Sequence, residues 1–132
     1  MPFQFRYATV QKIRKSARDE KRAALGEALA AEQEILDRLE ALRRRLEDLR
    51  VERTKGLRGG TLQIPLLRQY NQCERQILDS IAEENAHLVS AQCRTEMRRA
   101  ALVEADKEVK QFDKLEEKQR EQFEIDERRK AA

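Results

Sequence analysis

From Pro65 to about Arg129 two interleaved ladders of residues, each stepping by seven, run through the chain. One is Tyr70, Ile77, Glu84, Ala91, Arg98, Ala105 and Phe112. The other is Leu67, Glu74, Ile81, Leu88, Thr95, Leu102 and Val109, with Phe123 two heptads further on. Most of these positions are apolar, and nothing between them breaks a helix. Spacing of three and four keeps one narrow stripe facing a partner, so the pattern predicts a long helix with a coiled-coil seam. Such a helix needs a second one, and the first half of the chain supplies it. The expected fold is all-α, two long helices forming an antiparallel coiled-coil hairpin.

Composition supports a thin seam over a thick core. The chain has 132 residues, of which 40% are charged and 5% aromatic, too few bulky apolar groups for a compact domain of this length. A three-helix or swapped variant and a disordered chain are the alternatives, but disorder leaves the registered ladders unexplained.

In the first half, Phe3, Val10, Ala17 and Ala24 share one ladder, with Ile13 and Glu20 on its companion. The phase then changes to Leu25, Ala28, Glu32, Ile35, Leu39, Leu42, Leu46 and Leu49, with the slip near Gly26. Three of the four glycines and one of the two prolines lie between Thr54 and Pro65, which marks the turn. Gly56, Gly59 and Gly60 offer positive φ for the reversal, and Pro65 suits the opening of the next helix. The expected boundaries are a helix over about 3–53, a turn over about 54–64 and a helix over about 65–129, in one hairpin spanning 1–132. Folding about that turn pairs residues whose numbers sum to roughly 119. Lys118–Ala132 then extends past the first helix, leaving Phe123 and Ile125 unpaired.

Charge is uneven although the net is only +3. Arg6, Lys12, Arg14, Lys15, Arg18, Lys21 and Arg22 face only Asp19 and Glu20, so the beginning should attract an acidic surface. Cys73 and Cys93 are roughly 30 Å apart on one helix, beyond disulfide reach, and read as buried or half-buried small residues in a reducing compartment. No apolar run is long enough for a membrane span, and the first 20 residues lack the core of a signal peptide. The expected place is the cytoplasm, with any membrane association peripheral.

Chemistry-bearing patterns are sparse. The Gly56–Gly60 cluster lacks the Gly-Lys-Ser/Thr of a phosphate loop. His87 is the sole histidine and reads as a solvated helix residue without the companions of a metal site. A two-helix rod offers no concavity to desolvate a catalytic carboxylate, so no enzyme, cofactor or metal is expected. Glu84 and Arg98 in the seam read as residues that fix register. Arg43, Arg44 and Arg45 sit among acids and read as a solvated face with pairs four residues apart. Without stacking aromatics or an undiluted basic patch, no nucleic-acid partner is expected.

Three segments carry a family likeness. They are the opening Phe3-Gln-Phe5-Arg6-Tyr7-Ala-Thr-Val10-Gln-Lys-Ile13-Arg14, the segment Leu66-Leu67-Arg68-Gln69-Tyr70-Asn71-Gln72, and the tail Lys114-Leu115-Glu116-Glu117-Lys118-Gln119-Arg120-Glu121-Gln122-Phe123. Together they span nearly the whole chain, and in them the sequence resembles the flagellar export protein FliJ family, which also takes in stalk proteins of related injectisomes. The resemblance implies a non-enzymatic cytoplasmic coiled-coil stalk, peripheral at the inner membrane. Its joined ends would dock in a hexameric export ATPase, and it would touch the cytoplasmic domain of the export gate and escort export chaperones. Carried over by position, Phe5, Arg6, Tyr7, Val10, Ile13, Arg14, Leu115, Lys118, Arg120 and Phe123 would face the ATPase, and Leu67, Tyr70 and Ile77 the gate. The equivalent injectisome stalk, or a coiled-coil spacer, is the alternative.

Overall fold

The structure, a computed structural model, describes residues 2–59 and 63–132. Two helices occupy almost all of it, α1 (Ala8–Arg58) and α2 (Ile64–Ala131), with no strand among the described residues. The helices contact each other extensively as a hairpin. The chain divides into two compact units, one formed by Met1–Glu27 with Thr95–Ala132 and the other by Ala28–Arg94.

The seam on α2 falls on the two expected ladders. Every member from Leu67 to Phe112 is buried or half-buried, with Ile77, Ala91, Thr95 and Val109 the most enclosed. In the unit formed by Ala28–Arg94, Ile35 and Leu39 of α1 form a core with Ala91, and Ile81 and Leu88 pack against it. In the other unit Phe5 and Val109 are buried, flanked by half-buried Ala17, Ala24, Leu25, Leu102 and Phe112.

The early part of α1 departs from the expected phase. Gln11, not Val10 or Ile13, is the buried position, and Glu20 is exposed. One row of enclosed positions steps by seven as Gln11, Arg18, Leu25, Glu32, Leu39, Leu46 and Arg53, while its companion row changes near Gly26 from Ala17 and Ala24 to Ala28, Ile35, Leu42 and Leu49. The burial of Gln11 follows from polar pairing. Gln11 donates from Nε2 to Asp113 Oδ1 and to Glu116 Oε2, both at 2.9 Å, which makes an amide a better occupant of that position than a hydrocarbon.

The ends of the helices shift too. Phe3 meets Phe123 of α2 and Phe5 is buried, and the residues up to Phe5 are not helical, with Arg6 and Tyr7 forming a turn. Helix α1 therefore opens only at Ala8, with Gln11 N–H donating to Tyr7 C=O at 2.9 Å. It then runs past the expected end through Gly56, where neither Gly56 nor Gly59 takes a left-handed φ. Lys55 and Arg58 in its last turn complement the helix dipole and help carry a glycine that costs about 1 kcal/mol. The expectation for Gly60 lies outside the described residues. Helix α2 starts at Ile64-Pro65, and Leu67 N–H donates to Gln63 C=O at 3.0 Å.

A later turn means a later register. Gln11 with Asp113 in one unit, and Arg50 with Glu74 and Arg53 with Asn71 in the other, have numbers summing to 124, so the pairing expected at roughly 119 is displaced. The polar seam residues are partnered. Arg38 Nε meets Glu84 Oε2 at 3.2 Å, and Arg98 Nη1 donates to Ala24 C=O at 2.8 Å. Arg44 pairs with Glu40 at 2.7 Å, one turn back on an exposed face. Both cysteines are exposed, contrary to the expectation of burial, because they fall outside the ladders.

Candidate partner-docking site

The unit that holds both ends of the chain brings distant residues together. The Phe3 ring lies 5.5 Å from that of Phe123, centroid to centroid, and Arg120 places its guanidinium 5.3 Å above the Phe3 ring. Phe123 is thus half-buried against Phe3 of the segment that leads into α1, not stranded as the simple register implied. Ile125 remains exposed. Phe5 stacks edge-on to Tyr7 at 5.9 Å, and Arg6 sits 5.7 Å from the Tyr7 centroid.

The residues assigned to the ATPase-facing end separate into two groups. Phe5, Leu115 and Phe123 are buried or half-buried, while Arg120 is exposed and lies over the Phe3 ring. Arg6, Tyr7, Val10, Ile13, Arg14 and Lys118 are exposed, and among them Val10 (39%) and Ile13 (61%) are aliphatic side chains that α2 leaves uncovered. Tyr7, Val10 and Ile13 follow one another at three-residue spacing and so form one short apolar stripe.

The basic start is partly neutralised by α2. Arg14 Nη1 meets Glu108 Oε2 at 3.2 Å and Lys15 Nζ meets Asp113 Oδ1 at 3.7 Å. Both pairs are about half exposed and add little stability, but they orient the cations. Lys12 and Lys118 have no ion-pair partner among the described residues. Phe3, Gln11, Asp113 and Glu116 matter here and were not among the expected site residues. An aromatic two positions before Phe5 was the one available signal.

In the other unit Ile77 is buried in the seam, while Leu67 and Tyr70 are half-buried and line a cavity of about 20 Å³ with Arg53, Gly56, Leu57, Gln63 and Leu66. Nearby, Arg50 and Arg53 both donate to Glu74 at 3.1 Å, and these hydrogen bonds, Arg50 first, hold its carboxyl below its ordinary range. His87 Nδ1 lies 3.8 Å from Glu84 Oε2. Among the described residues no cluster of three or more His, Cys, Asp and Glu is arranged to hold a metal, and no helix is long and apolar enough to cross a membrane.

Two long helices meeting on a heptad seam, with an apolar and basic stripe left open beside the paired ends, define an all-α coiled-coil hairpin protein. A family model described as Flagellar FliJ protein matches residues 3–131, nearly the whole chain. The chain belongs to the FliJ family and is a component associated with flagellar protein export. No curated protein and no solved structure gives a match.

Proposed function

We propose that the chain is a non-enzymatic stalk of the flagellar export apparatus, at the cytoplasmic face of the inner membrane, whose paired ends dock on the hexameric export ATPase. The observation that carries this reading is the stripe Tyr7, Val10 and Ile13, exposed and bordered by Arg6, Lys12 and Arg14. Apolar contact supplies affinity and surrounding cations steer an acidic partner into register. Phe5, Leu115 and Phe123 are enclosed in the same unit as the stripe, and Lys118 and Arg120 add exposed cations from α2. Leu67 and Tyr70, backed by Ile77, are the surface we assign to the export gate, and the same stalk escorts export chaperones.

A pull-down from the native cytoplasm with the tagged chain tests the ATPase reading. Retention of the hexameric export ATPase by the wild type, and its loss with Ile13→Asp, is the expected result. Equal retention by both chains removes the stripe from the interface, and no retention by either removes the assignment.

A further inference from the structure

In the unit formed by Ala28–Arg94, α2 carries a second row of residues that stands apart from the seam ladders. Leu78, Ala82, Ala86, Val89 and Cys93 follow one another at spacings of four, four, three and four, so they share one face of the helix. All five are exposed, Leu78 by 42% and Val89 by 68%. Asn85, three after Ala82 and four before Val89, lies beside them, and no charged residue interrupts the row.

The chain is 40% charged, and a helix held only by its seam would gain from charge on a face turned to water. An uncharged row of this length is therefore a contact surface. Two charges border it. Asp79 lies seven residues before Ala86 and Arg94 eight after it, so both flank the row on the Ala86 side. Glu74 and Glu84 pair with arginines of α1, whereas Asp79 and Arg94 are exposed and have no ion-pair partner among the described residues.

The row is complementary to itself when reversed. In an antiparallel pairing of two copies whose residue numbers sum to 171, Leu78 faces Cys93, Val89 faces Ala82 and Asn85 faces Ala86. A large side chain meets a small one at the outer levels, which lets two helices pack closely. The same reversal brings Asp79 of each copy within two residues of the level of Arg94 of the other, about 3 Å along the axis, which an arginine spans. A parallel pairing would instead set Val89 on Val89, Asp79 on Asp79 and Arg94 on Arg94, with like charges opposed.

We infer that this face of α2 is a self-association surface on which a second copy of the chain packs antiparallel, Leu78 against Cys93 and Val89 against Ala82, with Asp79 and Arg94 paired along one edge. The contact is small, at the low end of specific interfaces, so the dimer dissociates at about 10–100 μM. It lies on residues other than those assigned to the ATPase and the gate and does not depend on that reading.

Sedimentation equilibrium of the full chain up to about 500 μM should show monomer and dimer. L78S/V89S should weaken the dimer on the order of 100-fold with helicity kept, since each change counts twice, and Ile125→Ser, at another exposed aliphatic of α2, by less than about twofold. D79R and R94D should each weaken it about tenfold, and D79R/R94D should restore it. Oxidation of the Cys73→Ser chain should give no covalent dimer, because the two Cys93 thiols of an antiparallel pair stand about 22 Å apart. Adding Leu78→Cys should give a disulfide between position 78 and Cys93 of the other copy. Five results overturn the inference: no dimer at about 500 μM, which would leave the face to a different protein; a full-strength dimer with L78S/V89S; a double reversal no tighter than the single ones; no link between position 78 and Cys93; or a link between the two Cys93 thiols, which would mean parallel pairing.

Discussion

Phe3 and Phe123, 120 positions apart in the chain, stack with ring centroids 5.5 Å apart. The contact joins the segment preceding α1 to the last part of α2 and makes the two ends of the chain a single structural feature. A double-mutant cycle with Phe3→Ala and Phe123→Ala should give a coupling of about 0.5–1.5 kcal/mol by urea denaturation. Strictly additive losses would show that the rings do not support each other.

Gln11 is the buried polar link between α1 and α2 near those ends. Gln11→Ala removes the donor to Asp113 and Glu116 and should cost about 1–3 kcal/mol. Gln11→Glu places a third carboxylate there and should cost more at neutral pH. The difference between the two variants should shrink as added salt screens the charges, and a salt-independent difference would exclude charge repulsion as the cause.

Glu74 carries a pH dependence of definite sign. Its folded pKa is lowered by hydrogen bonds from Arg50 and then Arg53. A group shifted in this direction adds stability above its unfolded pKa and loses that contribution as pH falls through the folded value. The midpoint of thermal unfolding should therefore differ most between wild type and Glu74→Gln near neutral pH, and the gap should close in acid. A gap that widens on acidification would contradict the pairing.

Gly26 is helical, and a methyl group added there meets nothing within 4 Å. Gly26→Ala should raise stability by about 0.5–1 kcal/mol, since the position is helical and exposed with open space for a Cβ. Destabilisation in denaturant titration would mean that the glycine has a conformational role.

The α2 seam was legible from its ladders because most of its residues are apolar and its polar members, such as Glu84 and Arg98, keep the same spacing. The opening of α1 was not. There the apolar Val10 and Ile13 face away from α2 while Gln11 and Arg18 take the seam, and what places Gln11 is a pair of carboxylates about a hundred positions away. The same inversion made the candidate site partly legible. Val10 and Ile13 were named as docking residues from family likeness, yet periodicity assigned them to the seam, and only their exposure separates the two roles. Phe123 went the opposite way, from an uncovered tail residue to a partner of Phe3, because the later register and the non-helical segment before α1 bring the two together.

Affinity of the purified chain for the hexameric export ATPase, compared between wild type and the double variant Val10→Ser with Ile13→Ser, is the most direct test of the docking end. Both side chains are exposed, so far-UV circular dichroism should be unchanged while affinity falls about tenfold or more. Undiminished affinity in a fully helical double variant would contradict docking through this stripe.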